Sequence, residues 1–216
     1  SVLNKYAKII TYMFQVLLSG CIIMLFLLGD LFIMQLLKTE KENYIGQADP
    51  FVMESNGSYY IYTTGEDGIY AYYSDDLFSN WQLHGKVFTY EGGESFWAPS
   101  VIELDGKYYM YCSFEYYEDE PDQGGHHQAM FVSVSDSPLG PFTGAKQILH
   151  PFSIDSHIVK NESGLFLFYS TNRFEGERIG TYIVVDKMLD PFTPEGNPVT
   201  VVEPTPLQKR SALAHY

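Results

Sequence analysis

The sequence predicts an all-β fold built of repeated small sheets, a β-propeller. Three observations predict it. A pattern of strands and turns recurs about every 50 residues from Gln47 onward, the spacing of propeller blades. The turns inside that pattern carry Asn-Gly and Asp-Gly pairs, the strongest short-range hairpin signals. Tyr and Phe, both strand formers, lift the aromatic share to 16%.

Each repeat opens with a short apolar strand, a polar turn holding a glycine, and a strongly aromatic strand. The three copies are Ala48–Tyr62, Trp97–Tyr111 and Ile154–Tyr169. Asn56-Gly57 and Asp105-Gly106 make the first two turns, where a tight hairpin needs positive φ, and Gly164 marks the third. A second half follows in each copy: Tyr70–Asp75, Met130–Asp136 and Thr181–Asp186. These lead to loops closing near Trp81, Phe142 and Phe192, the last two in the near copies Pro141-Phe142 and Pro191-Phe192. Four strands in about 50 residues fit a blade. A solenoid repeats faster, and an immunoglobulin-like sandwich does not repeat its sequence. The units run over 47–95, 96–152 and 153–203, so residues 46–216 hold about three blades. Closed propellers have typically about 4–8 blades. The expectation is therefore an incomplete propeller, a fragment with unpaired edges.

Residues 1–45 form a separate apolar segment. Ile9 to Gly29 is apolar but for a few residues and long enough for a helix that spans a bilayer, with Lys5 and Lys8 before it. Leu18-Ser19-Gly20-Cys21 resembles a lipoprotein cleavage box, although the apolar run continues past it. Two readings stay open. One is a membrane anchor through residues 9–29, which places the domain outside the cytoplasm. The other is a spurious extension with the native start at Met34, which makes the protein cytoplasmic.

A formal net charge of −14 disfavours nucleic acid as a partner and suits a neutral oligo- or polysaccharide. Cys21 and Cys112 form neither a disulfide framework nor a zinc pattern, so no metal site is assigned.

In a propeller the innermost strands line the axis. Two of the three carry a carboxylate at the matching place, Asp49 and Asp155, and the middle unit has Ala98 there. Such side chains converge although they lie far apart in sequence. Carboxylates facing one pocket suit glycoside hydrolysis, where one activates water, another protonates the leaving oxygen, and a third holds up the acid's pKa.

Three motifs carry a resemblance. Ala48-Asp49-Pro50-Phe51 with Tyr59-Tyr60-Ile61-Tyr62, then Phe96-Trp97-Ala98-Pro99, then Ser153-Ile154-Asp155-Ser156-His157 with Leu167-Phe168-Tyr169-Ser170, occur in order at blade spacing. Over about Gly46 to Thr205 the chain resembles glycoside hydrolase family 43. The resemblance implies a five-bladed β-propeller that hydrolyses α-L-arabinofuranosides or β-D-xylosides of plant cell walls with inversion. It implies that Asp49 is the general base and that Asp155 tunes the pKa of the acid. The family's general acid, a Glu in an aromatic-Thr-(Ile/Val)-Glu-Gly stretch of the fourth blade, has no match here, and Glu203 lies too early for it. The chain is thus expected to stop before its proton donor, which leaves a non-catalytic carbohydrate-binding propeller or an inactive remnant as alternatives.

Trp97, Phe96 and His157 are the candidate substrate contacts, the aromatics as stacking faces for a sugar ring and His157 as a hydrogen-bond partner of a hydroxyl. For Phe96 the competing expectation is packing between blades. No cofactor is required, and the sequence does not assign a structural calcium to the axis. His126-His127, in a Gly-rich loop, read as solvated rather than as cation ligands. Asn161-Glu162-Ser163 matches a glycosylation acceptor.

Overall fold

The structure, a computed structural model, describes residues 47–117 and 120–205. Among these residues no helix occurs, so none is long and apolar enough to cross a membrane. The apolar helix expected within residues 1–45 lies outside the described residues.

Thirteen strands form three antiparallel sheets, each occupying one repeat. The first holds β1 (Phe51–Ser55), β2 (Ser58–Thr63), β3 (Ile69–Ser74) and β4 (Gln82–Phe88), paired in chain order. The second holds β5 (Glu94–Leu104), β6 (Lys107–Glu115), β7 (Gln128–Ser135) and β8 (Thr143–Leu149), again in order. In the third, β9 (Ser153–Asn161), β10 (Gly164–Arg173) and β11 (Gly180–Asp190) follow in order. Its outer edge is split between β12 (Thr193–Pro194) and β13 (Val199–Val202), both paired with β11.

Local chemistry explains the hairpins. Asn56 and Gly57 sit at φ 52° and 78°, and Asp105 and Gly106 at 52° and 76°, the pair of left-handed residues that a two-residue turn needs. The third turn instead uses Asn161, whose side-chain oxygen accepts the Ser163 N–H at 2.8 Å, an Asx turn closed by Gly164 at φ 133°.

Strand alternation then builds the interior. On β6, Met110, Cys112 and Phe114 pack toward the first sheet, while Tyr111 between them packs toward the third. On β7, Ala129 and Phe131 join the first group and Met130 and Val132 the second. The middle sheet is thus apolar on both faces, as period-two geometry demands of a blade with two neighbours. Tyr62 is fully buried and donates its hydroxyl to Pro138 O of the second sheet at 2.7 Å. Tyr111, at the matching place one repeat later, donates to Pro191 O of the third sheet at 2.8 Å. Each sheet is so bolted to the next by one tyrosine that buries its ring and keeps its hydroxyl paired. The matching residue of the third repeat is Phe168, which has no hydroxyl to donate.

Candidate active site

Each inner strand breaks its alternation at one point. In the third sheet Ile154 pairs with Ser170 and His157 with Phe168, which leaves Asp155 and Ser156 opposite Tyr169 alone. In the second, Trp97 pairs with Ser113 and Ser100 with Tyr111, leaving Ala98 and Pro99 opposite Cys112. In the first, Thr64 N–H donates to Ala48 O at 3.1 Å and Phe51 pairs with Tyr62, leaving Asp49 and Pro50 opposite Thr63. The same two-against-one bulge occurs three times, a device that re-aims a side chain. Its first residue is left-handed each time: Asp49 at φ 49°, Ala98 at 42° and Asp155 at 56°. Residues with a Cβ rarely adopt this region, and such strain gathers at functional sites.

The bulges converge. Strand β5 packs against both β1 and β9. The ring of Phe51 lies 5.9 Å from that of His157, tilted by 59°, so the first and third inner strands also meet each other. Asp49 is exposed, and its Oδ2 accepts the Thr64 hydroxyl at 2.8 Å. Asp155 keeps solvent access, yet the protein crowded around its carboxyl raises its pKa above the usual carboxylate value. A hydrogen bond from Ser170 opposes that rise, and the negative charge of Asp49 adds to it. Asp155 thereby responds to the charge of a carboxylate from another sheet.

Of the other sequence candidates, Trp97 is half-buried directly before the middle bulge and His157 is exposed two residues after Asp155. Phe96 is corrected: it is 0% exposed, stacked on Phe114 at 4.8 Å and edge-on to Phe88 at 5.7 Å. Its backbone N–H and C=O are both bonded to Gly65, which locks it into the interface between the first two sheets. Among the described residues no group of three or more His, Cys, Asp or Glu is arranged to hold a metal ion. His126 packs on Phe152 at 4.8 Å in a loop capped by Asp122, which accepts from the N–H groups of Gly124 and His126.

Two hydroxyl residues at the site escaped the sequence reading, Thr64 and Ser170. The repeat carries the signal: Tyr62-Thr63-Thr64, Tyr111-Cys112-Ser113 and Phe168-Tyr169-Ser170 occupy the same register opposite the three bulges. Reading it requires knowing that the bulge brings this position beside the carboxylate.

The sequence signature described as Glycosyl hydrolases family 43 matches residues 45–212. The chain belongs to this family. A relative, "Xylosidase/arabinosidase" of Bacteroides ovatus, is 31% identical over 166 residues, covering 65% of this chain and 49% of the relative. "Probable arabinan endo-1,5-alpha-L-arabinosidase B" of Aspergillus oryzae is 33% identical over 99 residues, covering 43% of this chain and 26% of that protein. The chain thus spans about half of the first relative and a quarter of the second. Among solved structures, a thermostable family-43 glycoside hydrolase superposes with a TM-score of 0.61 at 30% identity, over 76% of this chain and 55% of the other. The fold of this family 43 chain is accordingly β-propeller-like, with its three sheets as blades.

Proposed function

We infer that the protein hydrolyses glycosidic bonds of arabinofuranosides or xylosides, with Asp49 and Asp155 in the pocket where the bond breaks. One observation carries the reading: both acids stand on equivalent left-handed bulges of the two inner strands that flank the middle one, close enough for the Asp49 charge to act on Asp155. The names of the relatives supply the sugar class.

The chemistry follows from the two environments. Exposed Asp49, oriented by one hydroxyl, serves as the base that takes a proton from the attacking water. Asp155, whose carboxyl is crowded and carries a raised pKa, orients and tunes the group that protonates the leaving oxygen. An inverting pair needs room for water, with carboxyl groups about 6.5–9.5 Å apart. Trp97 offers a ring face to the sugar and His157 a hydrogen bond to a hydroxyl. Glu203 is engaged in an ion pair with Arg178 and is not given the role of proton donor.

The test is turnover of aryl α-L-arabinofuranosides and β-D-xylosides, with calorimetry of arabino- and xylo-oligosaccharides alongside. Turnover that falls about 10²–10⁴-fold in Asp49→Asn supports the reading, this being the usual worth of a general base. Binding without turnover reduces it to a sugar-binding site. Neither binding nor turnover overturns it.

A further inference from the structure

The hydroxyl residues opposite the bulges have a regularity that the carboxylates alone do not show. Thr64, Ser113 and Ser170 each pair with the residue just before the left-handed one: Ala48, Trp97 and Ile154. Thr64 donates to Asp49, and Ser170, opposite Ile154, stands beside Asp155, where its hydroxyl favours the ionised carboxyl. In the middle sheet, where alanine replaces the acid, the Ser113 hydroxyl is fully buried and finds no hydrogen-bond partner in the protein. A buried unpaired hydroxyl costs on the order of 1–3 kcal/mol, a cost the first sheet avoids where Thr64 meets an acid on the bulge.

A second set of bonds ties the two pairs together through that middle bulge. The Ala98 N–H donates to Thr64 Oγ1 at 3.1 Å, while the Thr64 hydroxyl donates onward to Asp49. On the other side of the same residue, the Ser156 hydroxyl, next to Asp155, lies 3.1 Å from the Ala98 carbonyl and 3.0 Å from the Tyr111 carbonyl, so its one proton is shared between the two acceptors. Ser156 stands where the other two bulges have Pro50 and Pro99, which have no hydroxyl to give. The bonds therefore run from Asp49 through Thr64 and Ala98 to Ser156, and they cross all three sheets.

We propose that Thr64 and Ser170 are positioning residues, each orienting the carboxylate of its own sheet, and that the Ala98 backbone is the spacer that holds the two at a fixed separation. This deepens the glycosidase reading and rests on it for its purpose, although the geometry can be tested without substrate.

Carboxyl-carbon NMR titration of Asp155 in the intact chain is the test. The groups that act on Asp155 are Ser170 from β10 and Asp49 from the first sheet, and His157, two residues on along β9, is retained in every variant. Ser170→Ala removes a bond to the ionised form, so the Asp155 midpoint rises; Ser170→Thr installs the first sheet's own residue and brings it back. Asp49→Asn removes a like charge, so the midpoint falls. Thr64→Val leaves the Asp49 side chain untethered in solvent, and the midpoint falls in the same direction while Thr64→Ser keeps the native value. A native midpoint in either Ser170→Ala or Thr64→Val, with Asp49→Asn still shifted, overturns the proposal alone. A native midpoint in Asp49→Asn overturns the shared pocket beneath it. Should Ser170→Ala fail to fold, Thr64→Val, placed just beyond the end of β2, decides the same question.

Discussion

The middle sheet and its two neighbours share one backbone and differ in one side chain. All three inner strands bulge at the same register, with the first residue left-handed, yet the flanking sheets place aspartate there and the middle sheet alanine. The bulge is therefore a property of the repeated scaffold and does not depend on the acid. Chemistry is laid onto it by substitution, which is how one fold carries different sites. The middle position is still used: its backbone N–H and C=O reach Thr64 and Ser156, the residues beside the two carboxylates.

The sheets differ in packing as well. Met110 of the middle sheet is fully buried against the first sheet, whereas Val52 of the first sheet is 50% exposed. The largest expected effect sharpens that contrast: Met110→Ala lowers unfolding free energy by about 2–5 kcal/mol, and Val52→Ala stays within roughly 0.5 kcal/mol, both read from chemical denaturation. Equal effects would mean that the middle sheet is not the core of the assembly.

A smaller effect comes from the acid itself. Because folding raises the Asp155 pKa, its contribution to stability is fully present below the pKa of the unfolded chain and is lost as pH rises through the folded value. Asp155→Asn removes that loss. Thermal unfolding should find it more stable than the parent at neutral pH, with the gain vanishing in acid, and no gain at any pH would contradict the crowding of this carboxyl. The smallest effect belongs to the middle sheet, where Ser113→Ala removes an unpaired buried hydroxyl. It should be neutral or stabilising by up to about 1 kcal/mol, whereas a clear loss of stability would show that the hydroxyl has a partner.

The propeller-like architecture was legible because its signals are local. Asn-Gly and Asp-Gly report their own turns, and alternating apolar residues report their own strands. The alignment of Asp49, Ala98 and Asp155 also needed only the repeat. Phe96 and Trp97 mark the limit: neighbours in one motif, they part company because alternation sends Phe96 into the interface between sheets while Trp97 stays half-buried beside the bulge. Thr64 and Ser170 were hidden for a different reason. Their role depends on which residue faces which across two strands, and a bulge shifts that pairing by one place.

The account turns on Asp49 and Asp155 opening into one space, and thiol cross-linking measures this directly. Asp49→Cys and Asp155→Cys are combined on a Cys21→Ser background, with Cys112 too buried to compete. A short bifunctional thiol reagent should close an intramolecular bridge in the folded double variant. Failure to bridge, with each cysteine still alkylated by a monofunctional reagent, would place the two side chains in separate spaces and contradict the account.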